Sequence, residues 1–256
     1  MKVKSIIKKI FKPIIIIPVL IFLIVIAGAV LSWALQSYNA EEIALEFLES
    51  TETVNVRAEG DYLLFEPTQG DNNKPGLIFY PGAQVDHKAY SRLAYQLADK
   101  GYSSILVDMP FELAILGWKR AGDARELLPD KNNWYLSGHS LGGAMASRFI
   151  SRENPNWVKG LILLAAYPAN SDSLKDYELN LLSLYGNRDE IVDLDLLKER
   201  RSILPASAIF KEIAGANHSG FADYGNQEGD GEAQITTEEQ IDLTVEYIVD
   251  FLSQRL

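Results

Sequence analysis

Asn133-Trp134-Tyr135-Leu136-Ser137-Gly138-His139-Ser140-Leu141-Gly142 is the stretch whose reading decides the fold. Its first five residues are strand-like. The residues after Gly142 are small (Gly143, Ala144, Met145, Ala146, Ser147) and read as a helix running from Ser140 to Arg152. Between them lies Gly-x-Ser-x-Gly, a turn so tight that a bulky residue at either glycine would clash. A serine at its apex is held away from the backbone with its hydroxyl exposed. The competing reading is a serine that merely caps a helix N-terminus. A cap, however, needs neither the flanking glycines nor the preceding strand.

Outward from this turn the chain alternates strands and helices. Upstream, Leu77–Tyr80 is a short apolar strand, Tyr90–Lys100 an amphipathic helix closed by Gly101, and Ser103–Val107 a strand ending at Asp108. Phe111–Leu128 reads as helical with an interruption near Gly117. Downstream, Gly160–Ala166 is almost wholly apolar, as in the centre of a parallel sheet. Leu181–Tyr185 and Ser207–Ile213 are further strands, Asp193–Arg201 a helix, and Thr237–Arg255 a closing amphipathic helix. Ahead of all these, Thr53–Ala58 alternates with Val54, Val56 and Ala58 inward. Tyr62–Phe65 follows across Gly60-Asp61 as the second arm of a β-hairpin. The pattern predicts an α/β fold: a mostly parallel, doubly wound sheet with an N-terminal antiparallel hairpin and a minimal lid. Residues 51–256 read as one domain.

The N-terminus is of another kind. Residues 1–12 form a basic tail with five lysines, and residues 13–35 are uncharged and apolar. Ile14–Leu35 is long enough for a transmembrane helix, which needs about 20 residues. The lysines predict an N-terminus inside the cell and the remainder outside. A cleaved signal peptide competes, since Ala27-Gly28-Ala29 and Ser32-Trp33-Ala34 both fit a small-x-small cleavage site. The apolar run continues past Ala29, and Trp33 suits an interfacial anchor. Residues 36–50 read as a linker helix starting near Asn39-Ala40-Glu41-Glu42. The expected location is the cell membrane, single-pass, with the domain outside, or secretion if the segment is cleaved.

The chain has no cysteine, so disulfides, thiolate nucleophiles and thiolate metal sites are excluded. It has three histidines: His87, His139 and His218. Without the five tail lysines, 19 basic residues face 35 acidic ones, a net charge of −16. That argues against nucleic-acid partners, which want a basic face, and it serves solubility. Oligomeric state is not readable.

Acyl transfer needs a nucleophile, a base, an orienting acid and an oxyanion hole. Ser140 is the nucleophile candidate. His218, in Gly215-Ala216-Asn217-His218-Ser219-Gly220, follows the last strand and is the base candidate, because only it satisfies the chain order Ser…Asp…His. Asp189, in Tyr185-Gly186-Asn187-Arg188-Asp189, follows the strand Leu181–Tyr185 and is the acid candidate. Its competing reading is an Asx-turn, and Glu190, Asp193 and Asp108 are alternative acids. Leu141, the residue after the nucleophile, supplies one oxyanion donor. The other comes from the loop Pro81-Gly82-Ala83-Gln84, and Ala83, the residue after the glycine, is its candidate. Gly82, His87 and Met109 are assigned to substrate contacts. The glycine-rich acidic segment Phe221–Gly231 lacks the EF-hand spacing, so no metal is expected. The triad chemistry requires no cofactor.

Several of these segments together resemble the α/β hydrolases, and more narrowly the small bacterial hydrolases related to dienelactone hydrolases. They are Phe79-Tyr80-Pro81-Gly82-Ala83, Val107-Asp108-Met109-Pro110, Gly138–Gly143, Leu164-Ala165-Ala166-Tyr167-Pro168, Tyr185–Asp189 and Gly215–His218. The resemblance spans residues 51 to 256 and implies an α/β-hydrolase fold and a Ser-His-Asp serine hydrolase. Its expected partner is a small-molecule ester. Dienelactone hydrolases proper use cysteine, so their own activity is not implied here. Pro81-Gly82 also replaces the usual His-Gly of the oxyanion loop. Rival readings are acyl transfer or perhydrolysis on the same triad, and a binding protein that keeps the fold without turnover.

Overall fold

The computed structural model describes residues 17–28, 30–31 and 37–255. The chain divides into two units, residues 1–37 and residues 38–256. In the first, residues 17–28, 30 and 31 are helical and their apolar side chains are exposed. Among the described residues no helix is long and apolar enough to cross a membrane. The spanning helix expected over 13–35 is therefore not seen as such. The basic tail 1–12, residues 13–16 and 32–36, and Ala29 lie outside the described residues, and with them the last residue of one cleavage-site candidate and all of the other.

The second unit is built on an eight-stranded sheet: β1 Val54–Glu59, β2 Tyr62–Pro67, β3 Gly76–Tyr80, β4 Ser104–Val107, β5 Trp134–His139, β6 Val158–Leu164, β7 Asn180–Gly186 and β8 Ile209–Ile213. Its order is β1-β2-β4-β3-β5-β6-β7-β8. β1, β2 and β4 pair antiparallel, and every pairing from β4 to β8 across β3 is parallel. The helices are α1 Glu42–Glu46, α2 Ser91–Asp99, α3 Ala114–Gly117, α4 Ala121–Ala124, α5 Leu141–Glu153, α6 Leu194–Glu199 and α7 Thr237–Ser253.

Both faces of the sheet are covered, so its central strands are mostly apolar. Every residue of β3, β4 and β5 is buried. Alternation along β3 sends Leu77 and Phe79 into one core with Leu93 and Leu97 of α2 and Ile248 and Phe251 of α7. It sends Ile78 and Tyr80 into the other, with Met145 and Phe149 of α5. α7 starts where its capping box puts it: Thr236 Oγ1 accepts from the Glu239 N–H at 3.1 Å, and Glu239 Oε2 accepts from the Thr236 N–H at 2.8 Å.

Three expectations change. In β1 only Val54 is buried, and Ala58 near the hairpin turn is exposed, because this is the sheet edge. Residues 111–128 do not form one interrupted helix. Phe111 and Glu112 take positive φ, 54° and 55°. The buried Tyr80 hydroxyl then wedges the chain open between α3 and α4. It donates to the Trp118 carbonyl at 2.8 Å and accepts from the Ala121 N–H at 2.8 Å. The linker helix is only Glu42–Glu46, and the residues before it are bound to the domain. The Tyr38 N–H donates to the Gln84 carbonyl, the Asp86 N–H to the Tyr38 carbonyl at 3.0 Å, and the Glu41 N–H to the Asp223 carbonyl at 2.9 Å.

Candidate active site

Ser140 sits between the end of β5 and the start of α5 with φ 51° and ψ −121°. A non-glycine residue held there costs about 1–3 kcal/mol and persists only where its surroundings dictate it. Here the Ser140 N–H donates to the Leu164 carbonyl at 2.9 Å, and its carbonyl accepts from Ala144 at 3.2 Å. The two glycines of the motif mark close backbone crossings. A Cβ on Gly138 would lie 2.5 Å from the Gly142 carbonyl carbon, and one on Gly142 would strike the carbonyl oxygens of Tyr80 and Pro81. The elbow is thereby pressed against the loop after β3. Ser140 occupies the N-cap position of α5, yet its side chain makes no capping hydrogen bond.

His218 and Asp189 meet. His218 Nδ1 lies 2.8 Å from Asp189 Oδ2, and the two residues are 1% and 5% exposed. Asp189 divides its oxygens, because Oδ1 accepts the N–H groups of Ile191 (2.9 Å) and Val192 (2.8 Å). The Asx-turn and the bond to the imidazole are thus both present, on different atoms. The alternative acids are engaged elsewhere. Asp193 caps α6, Glu190 is exposed, and Asp108 lies 3.6 Å from His87 Nδ1.

A cavity of about 270 Å³ opens beside the serine, lined by Ser140, Leu141, Ala144, Ala165, Ala166, Tyr167, Ile191, Val192 and His218. It lies on the β6–β7 side of the elbow. Ala165 and Ala166, expected as strand, leave β6 at Ala165 (φ 45°) and form its wall. Gly82, His87 and Met109 do not line it. They lie on the β3–β4 side, where Met109 is packed in the core and His87 Nδ1 is 3.3 Å from Asp86. Burial lowers the His87 pKa, against the pull of Asp108 and Asp86.

Among the described hydrogen bonds, those of the loop after β3 leave one candidate donor. The Gly82 N–H donates to Tyr90 Oη at 3.0 Å, and the Gln84 N–H to the Glu112 carbonyl at 2.8 Å. Between them stands the Ala83 N–H. Leu141 is the first residue of α5, so its N–H has no partner within the helix.

Sequence reasoning missed the group that holds His218 in place. Asp230 accepts the N–H groups of His218 (3.1 Å), Ser219 (2.8 Å) and Gly231 (2.8 Å), and the Ser219 hydroxyl (2.9 Å). Asn217 and Gln240 add reciprocal bonds of 3.1 and 2.9 Å. Asp230 lies in the segment Phe221–Gly231, two of whose acids are committed within the domain. Asp223 pairs with Arg92 at 3.0 Å.

A serine at a strand–helix elbow, beside a buried His–Asp pair at the carboxyl ends of a parallel sheet, is the arrangement of the α/β hydrolases. The alpha/beta hydrolase family model matches residues 76–242, most of the chain, and the protein belongs to that family. No curated protein matches the sequence. Solved structures share the fold at low identity. A dienelactone hydrolase from Anabaena variabilis is 19% identical with a TM-score of 0.59, covering 78% of this chain and 99% of that one. A carboxylesterase from Bacillus subtilis is 12% identical (TM-score 0.58, 84% and 96% covered). A hyperthermophilic esterase from Pyrobaculum calidifontis is 15% identical (0.57, 83% and 89%).

Proposed function

We propose that this protein is a serine hydrolase acting on carboxylic esters. The observation that carries the reading is the conjunction of a strained Ser140, free of any capping bond, with His218 on the wall of the same cavity and Asp189 behind it. Ser140 Oγ attacks the ester carbonyl while His218 Nε2 takes its proton. Asp189 holds the Nδ1–H tautomer and stabilises the imidazolium. The N–H groups of Ala83 and Leu141 receive the oxyanion. The tetrahedral intermediate collapses, His218 returns its proton to the departing alcohol, and an acyl-enzyme remains. Water, deprotonated by His218, then releases the acid and restores Ser140. Tyr167, Ile191 and Val192 give the cavity an apolar wall, which suits an uncharged substituent of the ester.

The test is a fluorescent fluorophosphonate on the full chain in detergent. Wild type is expected to label and Ser140→Ala to remain dark. A folded wild type that does not label rejects the reading.

We further propose that residues 13–35 anchor the enzyme in the membrane with the catalytic domain outside. The length of the uncharged run and the five lysines before it support this. In intact cells the protein is expected in the carbonate-resistant membrane fraction, with its domain open to added protease. A shortened form released to the medium would instead point to a cleaved leader.

A further inference from the structure

We propose that Tyr90 and His139 are positioning residues, a clamp that fixes the loop after β3 against the nucleophile elbow and so aims the Ala83 N–H. The proposal rests on the serine hydrolase reading. Tyr90 Oη accepts from the Gly82 N–H at 3.0 Å and lies 2.8 Å from His139 Nδ1. These two bonds join the residue before Ala83, the start of α2 and the residue before Ser140. The loop lies flat on the clamp: a Cβ on Gly82 would be 3.1 Å from His139 Nδ1 and 3.3 Å from Tyr90 Oη.

Proton counting fixes the tautomer. A tyrosine hydroxyl has one hydrogen. Among the described hydrogen bonds, His139 Nδ1 is the only acceptor within its reach, because its other bond receives the Gly82 N–H. Both groups are buried, and an unpaired buried hydroxyl is costly. Tyr90 therefore donates to Nδ1, and neutral His139 carries its proton on Nε2, a buried nitrogen that neighbours the His218 backbone and has no hydrogen bond among the described residues.

The pair also resists titration beside a base that must titrate. The His139 ring lies 4.6 Å from that of His218. Burial, with the neighbouring His218 adding to it, holds the His139 pKa well below the ordinary imidazole range. Burial pushes the Tyr90 hydroxyl up. The clamp keeps one protonation pattern while His218 takes up and returns a proton.

With three histidines in the chain, nitrogen-15 labelling gives three ring systems to assign. In the full chain in detergent, His139 is expected with a bare Nδ1 and a protonated Nε2. Tyr90→Phe, which removes the hydroxyl and keeps the ring, should lower kcat on a nitrophenyl ester about tenfold, with KM within about twofold. That is less than the 10²–10³ of deleting an oxyanion donor, because the donor is misaimed and not removed. His139→Asn, which keeps an acceptor near Nδ1, should retain kcat within about threefold, while His139→Leu should match Tyr90→Phe. The Tyr90→Phe/His139→Leu double variant should be no slower than either single one, as for one device. A wild-type His139 protonated on Nδ1, an unchanged kcat in Tyr90→Phe, or multiplicative losses in the double variant would overturn the clamp. The wild-type spectrum decides even if a variant does not fold. A labelled wild type with an unaffected Tyr90→Phe rejects the clamp alone, whereas an unlabelled wild type rejects the hydrolase reading and leaves the clamp no reaction to serve.

Discussion

Asp189→Asn is expected to lower kcat about ten-thousandfold while the domain stays folded. The two oxygens of Asp189 do separate work: Oδ1 accepts Ile191 and Val192, and Oδ2 faces His218 Nδ1. Asparagine keeps one oxygen, and the two backbone donors claim it. Its amide nitrogen then faces Nδ1 and donates to it. His218 is forced into the Nε2–H tautomer, which cannot accept the serine proton. Thermal melts should show little loss, because the Asx-turn survives. Asp189→Ala removes both functions and should cost stability as well. A kcat for Asp189→Asn within tenfold of wild type would remove Asp189 from its proposed role.

Asp230→Ala should give the largest stability loss of any single substitution in the histidine loop. Three backbone N–H groups bound at 3.1 Å or less lose their acceptor at once: His218, Ser219 and Gly231. At about 1 kcal/mol each, the loss is about 3 kcal/mol. For a domain of this size that corresponds to a fall in Tm of about 6–12 °C. The Ser219 hydroxyl loses its partner too. His218 stands at the N-terminal end of the short helical turn Ser219–Phe221, so loosening that turn moves the imidazole, and kcat should fall with Tm. Asp230→Asn keeps one oxygen and should lie between the two. A melt of Asp230→Ala within about 2 °C of wild type would show that water replaces the carboxylate and that the loop holds itself.

The sheet was legible because its physics is local. Strands buried on both faces read as apolar runs, and the glycines at 138 and 142 are demanded by backbone contacts that only glycine permits. What could not be read depends on groups distant in sequence. Tyr80 breaks the 111–128 segment with a hydroxyl that reaches Trp118, 38 residues on, and nothing in the local periodicity encodes that. The exposed end of β1 depends on its edge position, which strand order determines. Around the site, the elbow and the His218–Asp189 pairing followed from strand-end positions and chain order. The cavity wall did not, because Tyr167, Ile191 and Val192 converge from two loops without a shared motif. Asp230 carried one weak signal. It lies in an acid- and glycine-rich segment with no strand or helix pattern of its own, and such segments often serve to hold a neighbour.

Tyr38 and Glu41 bear on where this protein can be cut. Both donate backbone hydrogen bonds into the α/β domain, one to the loop after β3 at Gln84 and one to the loop after His218 at Asp223. The ring of Tyr38 rests 5.6 Å from that of Tyr224. A deletion series that stops short of Tyr38 leaves these moorings whole. One that begins at the first strand, residue 54, severs both loops from their outer support. The smallest excisable module therefore starts sixteen residues ahead of the sheet.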